Sequence, residues 1–592
     1  MSTSSFDWTS CLLAARTLRE IVAQPGGGLS PGEARHWVQR WMATVTGGDE
    51  TRRLRWLEIE EWNEEFLEGV LQAPVPLDLD FPPWAEPWCE ALDIPLDEDP
   101  GGEPAERLFE PLVVVASATL GLPPDEGVFR SAFTRILMDR LVELVARLAP
   151  REPGLLAMPS GSMRTRWREM LLTRYPVLTR LSGQRTIDWL EAFREFMDRF
   201  ETDESRFADW LGEDPGELLE IRPCGSLVTG GGRSALELEF SRGLTLVYRP
   251  RSLAVDDALD RWLRRAETEG FPVPIRVPTV LDRGVYGWSV AVPSSPPPVH
   301  PHERTRRAGA LLALFTMLEG ASASADLIGW QGDEPVLLEA DTLFAPRWRP
   351  EFFEIPPPPH GPLTTGLLPG WSVTLDRHQL DLAGFGSPAN GRDFRDLTAR
   401  ARWFAGSPVA LSDRPFDAGR FDPGLDWDSG ALERAFEETL EYLVNWGSLD
   451  STWGGLRLAF EGLTVRLTLR PSRIYVSQLW SALEPESLAD GRVWALHHEH
   501  LARSILSMPG RRALWPLLLG EVSALERFEL PRFWADVSAT DAGLPVRTPL
   551  SERLIRSPLD TVHDRWSGLE RTTILRWVRT IREAIARARV RV

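Results

Sequence analysis

The sequence predicts an α+β protein in which a strand-bearing middle lies between two largely helical regions. Three observations carry this. Apolar residues recur at helical spacing from Leu108 to Leu148 and again from Arg164 to Phe200. The pattern then switches to alternation, Ala235 to Phe240 against Thr245 to Tyr248 across the turn residues Arg242 and Gly243, which is a β-hairpin signature. From Trp480 to Val592 helical spacing returns. Grouped strands flanked by helices favour α+β over an alternating parallel sheet. At 592 residues the chain is expected to form roughly two to four units, each able to bury a core.

The elements follow in order. Pro82 to Pro87 and Asp97 to Pro104 read as loops. Leu137, Leu141, Leu144 and Leu148 share one helix face and form an expected buried stripe. Trp189, Phe193, Phe196 and Phe200 mark a second helix. After the hairpin, Val285 to Val292 predicts a strand, Ser294 to Pro301 a break, Arg306 to Leu318 a buried helix and Pro335 to Leu338 a short strand. Pro356 to Pro359 reads as a stiff linker, followed by a loop-rich stretch after Pro369. Leu432, Ala435, Phe436, Leu440 and Leu443 predict a helix. Leu456 to Phe460 and Leu463 to Leu469, either side of Glu461-Gly462, predict a second hairpin. Ile574, Trp577, Val578, Ile581 and Ile585 line one face of a last helix, with Arg587, Arg589 and Arg591 at its C-terminal end.

Composition narrows the chemistry. All 66 basic residues are arginine, and lysine is absent. That excludes a P-loop lysine, a Schiff-base lysine and a catalytic amine. A net charge of -20 disfavours nonspecific nucleic-acid binding and permits a basic peptide partner. Cys11, Cys89 and Cys224 form no CxxC, so no disulfide framework and no cysteine zinc site is expected. His497, His498 and His500 read as part of a surface helix rather than a metal site. Met1 to Ser10 lack a basic n-region, and the apolar run Pro111 to Leu122 is too short to span a bilayer, so a cytoplasmic protein is expected.

Four places hold candidate chemistry. Gly225 to Ser234, with Gly230, Gly231 and Gly232, is a glycine-rich loop whose N–H groups suit a phosphate; an ordinary turn is the alternative. Arg249 and Arg251 end a strand, the first facing a nucleotide phosphate and the second making a structural ion pair. Glu339 and Asp341 are two carboxylates two apart at a strand end, as for a divalent cation such as Mg²⁺; a capping or salt-bridge role is equally open. Arg466 and Arg470, four apart, point to one side if the strand is extended and suit a phosphorylated side chain; a surface charge pair is the alternative.

Tyr175-Pro176-x-Leu178, VYRPRSL (247–253), PVLLEADTLF (335–344), TTGLLP (364–369) and RPSRIY (470–475) occur in an order that resembles the dehydratase domain of class II, LanM-type, lanthipeptide synthetases. The resemblance runs from about residue 105 to the C-terminus. It implies a lipid-kinase-like two-lobed core: residues 1–155 a helical N-terminal region, 156–370 the kinase-like core, and 371–592 the rest of the core with a helical activation and elimination region, without a cyclase domain. It implies ATP and Mg²⁺ as cofactors and a precursor peptide as partner, and leaves a separate cyclase or synthetase open as a further one; no zinc is expected, since the sequence has no Cys/His zinc set. The family phosphorylates Ser/Thr of that peptide and eliminates phosphate. By the same resemblance Gly225, Gly231 and Arg249 bind nucleotide; Asp326, Glu339 and Asp341 hold metal; Arg466 and Ser472 serve elimination.

The departures are specific. The family's strand lysine is Arg249, which keeps charge but not ammonium geometry. Its glycine-loop Asp and His are replaced by Ser226 and Val228, and its catalytic Asp-x-His falls on Ala321 and Ala323, or in a shifted register on Ser322 and Ser324. The readings are therefore an active but divergent dehydratase, a pseudoenzyme acting as a peptide-binding or regulatory scaffold, altered ATP chemistry that transfers AMP, and an elimination half alone.

Overall fold

A computed structural model describes residues 6–76, 81–94, 104–122, 127–152, 163–292, 300–321, 323, 327–349, 360–368, 372–375, 378–381, 385, 428–447, 450–467, 469–470, 472–540, 542–544, 548–549 and 555–590. The α+β class holds, with helices dominating both ends. Among the described residues no helix is long and apolar enough to cross a membrane.

The central sheet is antiparallel throughout. β1 (Leu218–Thr229), β2 (Arg233–Phe240), β3 (Thr245–Arg249), β4 (Val280–Asp282) and β5 (Gly287–Val290) lie in the order β1-β2-β3-β5-β4. The predicted hairpin is β2–β3, in register Leu236 with Tyr248 and Leu238 with Leu246, and Tyr248 continues onto Trp288 of β5. Side chains alternate across a strand. One face therefore carries Leu236, Leu238, Leu246, Tyr248 and Trp288, and the long helix Pro176–Leu211 packs on it through Phe196, Phe200 and Phe207. Asp203 of that helix accepts from Tyr286 Oη at 2.8 Å and Trp288 Nε1 at 2.9 Å, which fixes helix to sheet. Arg249 is one residue on from Tyr248, so it leaves the opposite face of β3.

That opposite face meets a second layer. β6 (Ile328–Gln331) and β7 (Glu334–Leu337) form a two-stranded ladder, and β7 leads into a single 3₁₀ turn, Ala340–Thr342. The helix Pro301–Met317 is buried on every side from Ala308 to Met317 and packs against Ser429–Gly447, the helix marked by Leu432, Phe436 and Leu440. β8 (Ser372–Leu375) and β9 (His378–Asp381) form a separate hairpin in the stretch expected to be loop.

Several expectations are corrected. The second predicted hairpin does not exist. Asp450–Phe460 is a helix: Leu456 and Phe460 lie four apart and are buried, while Leu458 between them is 80% exposed, so helical spacing outweighs apparent alternation. Only β10 (Thr464–Leu467) is extended. It pairs with β11 (Phe533–Asp536), which continues through β12 (Ala542–Leu544) to β13 (Thr548–Pro549), so strands interrupt the helical C-terminal region. Pro82 to Pro87 is not loop throughout: Pro83–Ala85 is a 3₁₀ turn and Glu86–Asp93 a helix, because proline is tolerated in a helix's first turn. Leu108 to Leu148 splits into Pro104–Leu120, Gly127–Val142, a 3₁₀ turn and a short helix, with the four-leucine stripe buried as expected. His498 is fully buried against Trp494, not on a surface. Residues 356–359 and most of the stretch after Pro369 lie outside the described residues.

Candidate functional site

Three separated stretches bring charge to one place. Arg249 reaches across from β3, Glu339 and Asp341 project from the turn after β7, and Arg466 comes from β10. Arg249 Nη1 donates to Glu339 Oε1 at 2.7 Å. Arg466 Nη2 donates to Glu339 Oε2 at 2.6 Å and to Asp341 Oδ1 at 3.2 Å. Arg532 Nη2 donates to Asp341 Oδ2 at 2.8 Å. Arg251 Nε stands 3.9 Å from the same oxygen while its Nη1 donates to Asp256 Oδ2 at 2.7 Å, the structural ion pair expected of it. Asp256 Oδ1 in turn accepts from the Ala340 amide at 3.0 Å, which holds the carboxylate-bearing turn against the helix Ala254–Thr268.

Burial pushes both carboxyls upward, but the guanidiniums outweigh it. Arg466, then Arg249 and Arg251, hold Glu339 down at about 2. Arg466, Arg251 and Arg532 hold Asp341 below the usual carboxylate range. Both are therefore anions at neutral pH, and Arg466, raised by the two carboxylates against its own burial, is a fixed cation.

Arg532 was not legible beforehand. β11 places it: Trp534 is opposite Arg466, and Arg532 precedes Trp534 by two residues, so it joins the face of Arg466. The signal was an alternation at Phe533 to Ala535 hidden inside a helical region. Arg470 goes elsewhere. β10 ends at Leu467, and Arg470 Nε donates to Glu521 Oε1 at 2.9 Å, with Tyr475 Oη on the same carboxylate. It is thus neither a second phosphate ligand beside Arg466 nor a surface charge. Ser472 opens the helix Ser472–Ala482, and its side chain lies outside the described residues, as does Asp326.

The glycine-rich loop is the tight turn between β1 and β2. Gly225 lies within β1, and Gly230, Gly231 and Gly232 take φ of 32°, 76° and 75°. The Gly231 and Gly232 amides both donate to Glu529 Oε1, each at 2.9 Å. This turn does bind an anion, and the anion is a carboxylate of the same chain. Behind it, a Cβ on Gly232 would sit 2.6 Å from the Asp188 carbonyl carbon, so the turn is packed onto the long helix.

The stretch that the resemblance makes catalytic touches the carboxylate turn through its backbone. Ala321 N–H donates to Thr342 O at 3.0 Å and Ala323 N–H to Thr365 O at 2.8 Å, which joins this stretch to two of the quoted motifs, 335–344 and 364–369. Just before it, Glu319 sits at φ 54° with its carboxylate buried. It accepts from Arg347 Nη2 at 2.6 Å and Arg565 Nε at 2.5 Å, and His360 Nδ1 stands 3.8 Å away. Burial, with the two arginines, pushes His360 down to about 4, so it is neutral. Glu319, His360 and Arg565 carry no motif that sequence reading detects, since their spacing exists only in the fold.

The magnesium nucleotide implied by the resemblance does not fit the site as arranged. All four carboxylate oxygens of Glu339 and Asp341 accept from guanidiniums. The local set is four arginines against three carboxylates, so a divalent cation would add charge to a site already cationic. The glycine amides that suit a phosphate are taken by Glu529. Among the described residues no group of three or more His, Cys, Asp or Glu is placed to hold a metal.

A family model described as Domain of unknown function (DUF4135) matches residues 175–403, a family typical of lanthipeptide-synthetase-like proteins. No curated protein matches the chain. The matched span begins at Tyr175, where the long helix starts, and includes the glycine turn, Arg249, Glu339 and Asp341. Arg466, Glu529 and Arg532 lie beyond it.

Proposed function

We propose that this chain is a LanM-like dehydratase-domain protein of ribosomal peptide biosynthesis, resembling enzymes that phosphorylate Ser or Thr of a precursor peptide and eliminate phosphate, but with a divergent kinase site. The supporting observation is the meeting of Arg249, Glu339, Asp341 and Arg466, from three stretches far apart in sequence, in one cluster. The family match over residues 175–403 supports the same reading.

The charge balance favours elimination as the step the described arrangement serves. A phosphorylated side chain is a dianion, and a cluster with one more guanidinium than carboxylate attracts it. In elimination a base removes the Cα proton, that electron pair becomes the Cα=Cβ bond, and the Cβ–O bond breaks so that phosphate leaves with its electrons. Charge grows on the leaving oxygen, and a fixed guanidinium such as Arg466 stabilises it there. Glu339 and Asp341 hold Arg466 in place, as the 2.6 and 3.2 Å contacts require.

The test uses the full chain, coexpressed with a candidate precursor peptide and, separately, incubated with a synthetic phosphoserine version of it. Mass spectra are expected to show dehydrated residues from the phosphopeptide, and Arg466→Ala is expected to slow this by about a hundredfold. Neither phosphorylated nor dehydrated product in either arm would overturn the reading. A second reading, a peptide-binding pseudoenzyme, is favoured by Ala321 and Ala323 at the places of the family's Asp-x-His. It predicts peptide binding with no product and no thermal stabilisation by ATP and Mg²⁺.

A further inference from the structure

A guanidinium carries five N–H donors in one plane. Nε and Nη2 lie along one edge, which can grip two oxygens of an anion at once. Arg249 spends only Nη1, on Glu339 Oε1 at 2.7 Å. Its Nε is buried and donates to nothing, and its Nη2 bonds to none of the described residues. The residue is 7% exposed, so a complete two-donor edge is left unpaired where unpaired donors are costly. Two neighbours also keep donors. Arg466 uses Nη2 for both carboxylates, while its Nε is buried without a partner and its Nη1 is unbonded among the described residues. Arg532 uses Nη2 alone, on Asp341 Oδ2. The three guanidiniums are close together. Arg249 and Arg466 take the two oxygens of Glu339, and Arg466 and Arg532 meet on Asp341 Oδ2 at 3.4 and 2.8 Å. Glu339 and Asp341 are thus the backing that fixes the arginines, and the donors left over face no partner of this chain.

We propose that Arg249 is a phosphoryl-binding residue: its Nε–Nη2 edge takes two oxygens of a phosphomonoester, and the unused donors of Arg466 and Arg532 take the third. The proposal deepens the elimination reading above and rests on it for the choice of substrate. The resemblance gives this position to nucleotide, through a lysine. An ammonium paired with Glu339 is a point charge with no such edge. Arginine pairs with Glu339 and keeps a two-donor edge besides, so exchanging one cation for the other changes the ligand that the position suits. The ligand is an anion, so Glu339 and Asp341 keep every guanidinium contact they make, and the excess of one arginine over the carboxylates favours it. A carboxylate has two oxygens and fills the Arg249 edge alone. A phosphoryl group has a third for Arg466 and Arg532, which selects phosphorylated over acidic side chains. A phosphorylated peptide side chain and inorganic phosphate share this chemistry. A peptide occupant requires an earlier phosphoryl transfer to its Ser or Thr.

Calorimetric titration of the full chain uses two probes. One is inorganic phosphate. The other is a candidate precursor peptide carrying a phosphonate analogue of phosphoserine, in which CH₂ replaces the ester oxygen so that no phosphate can leave. Wild type is expected to bind the phosphonate peptide about tenfold or more tighter than inorganic phosphate, and Arg249→Lys, which keeps a cation beside Glu339, to weaken that binding about tenfold or more. Unchanged affinity in Arg249→Lys would overturn the proposal, because lysine replaces a purely structural counter-ion without this loss. Equal affinity for both probes, weakened alike in the variant, supports it with free phosphate as the occupant. No binding of either probe to wild type overturns it. Product spectra from the phosphoserine peptide separate the two readings. Dehydration that Arg249→Lys leaves at the wild-type rate overturns the phosphoryl role and leaves elimination standing. Binding weakened in the variant, with no dehydration by wild type, keeps the phosphoryl role and removes elimination. Should Arg249→Lys melt below the assay temperature, Arg532→Lys carries the same comparison with a smaller loss, and unchanged affinity there overturns the proposal.

Discussion

Replacing Arg466 by methionine removes a guanidinium that is hydrogen-bonded to both Glu339 and Asp341. Breaking a buried ion pair costs about 3–5 kcal/mol because it leaves charge uncompensated. Here the side chain of Arg466 is 29% exposed, and each carboxylate keeps another partner, Arg249 or Arg532, so a loss of about 2–3 kcal/mol at pH 7 is expected. The pH dependence is more diagnostic. Glu339 is held at about 2 against an ordinary 4.5. A depressed carboxyl contributes stability that is fully present above its unfolded value and disappears as pH falls toward the folded one. For Glu339 the window is about pH 4.5 down to 2, and the amount about 3 kcal/mol; Asp341 acts in the same direction. In Arg466→Met both carboxyls titrate higher, so the acid-dependent part of the stability shrinks and the gap from wild type narrows as pH falls. Urea unfolding of the two proteins at pH 7, 5 and 3 measures this. Equal stability at pH 7, or a gap that does not narrow on acidification, would refute the assignment of Arg466 as a shared counter-ion.

Two further outcomes are expected. Gly232→Ala forces a Cβ to 2.6 Å from the Asp188 carbonyl carbon at φ 75°, whereas Gly230→Ala meets nothing within 4 Å; thermal melts should show a loss of at least about 3 kcal/mol for the first and about 1 kcal/mol for the second, and similar losses would contradict the packing of the turn on the long helix. Burial, with Glu499 and Glu20 nearby, pushes Glu526 up to about 7, partly opposed by Arg180. A raised carboxyl binds its proton in the folded state, so stability falls as pH rises from about 4.5 to 7. Glu526→Gln should flatten that fall, worth up to about 3 kcal/mol, in denaturation curves at pH 5 and 8; an unaltered slope would assign the effect elsewhere.

Legibility followed the range of the forces involved. Side-chain periodicity exposed the β2–β3 hairpin, the stripe from Leu137 to Leu148 and the aromatic face from Trp189 to Phe200, because each buries a local repeat against the core. It failed at Asp450–Phe460, where a short apolar run fits strand and helix alike, and at β10–β11, whose strands are more than sixty residues apart in sequence. Arg249, Glu339, Asp341 and Arg466 were each readable as charged residues at strand ends. That they form one cluster was not readable, since their neighbours come from other elements.

The sequence alone determined that every fixed cation here is arginine, that strands sit between helical regions, and which residues carry charge toward the site. The tertiary structure decided what those charges do. A lysine-free chain meets its carboxylates with planar, multi-donor guanidiniums, and one such group bridges Glu339 and Asp341. Only the fold, by placing β11 beside β10, sets Arg532 against Asp341 and aims Glu529 at the glycine turn, because strand pairing and side-chain contact act between segments that no local pattern connects.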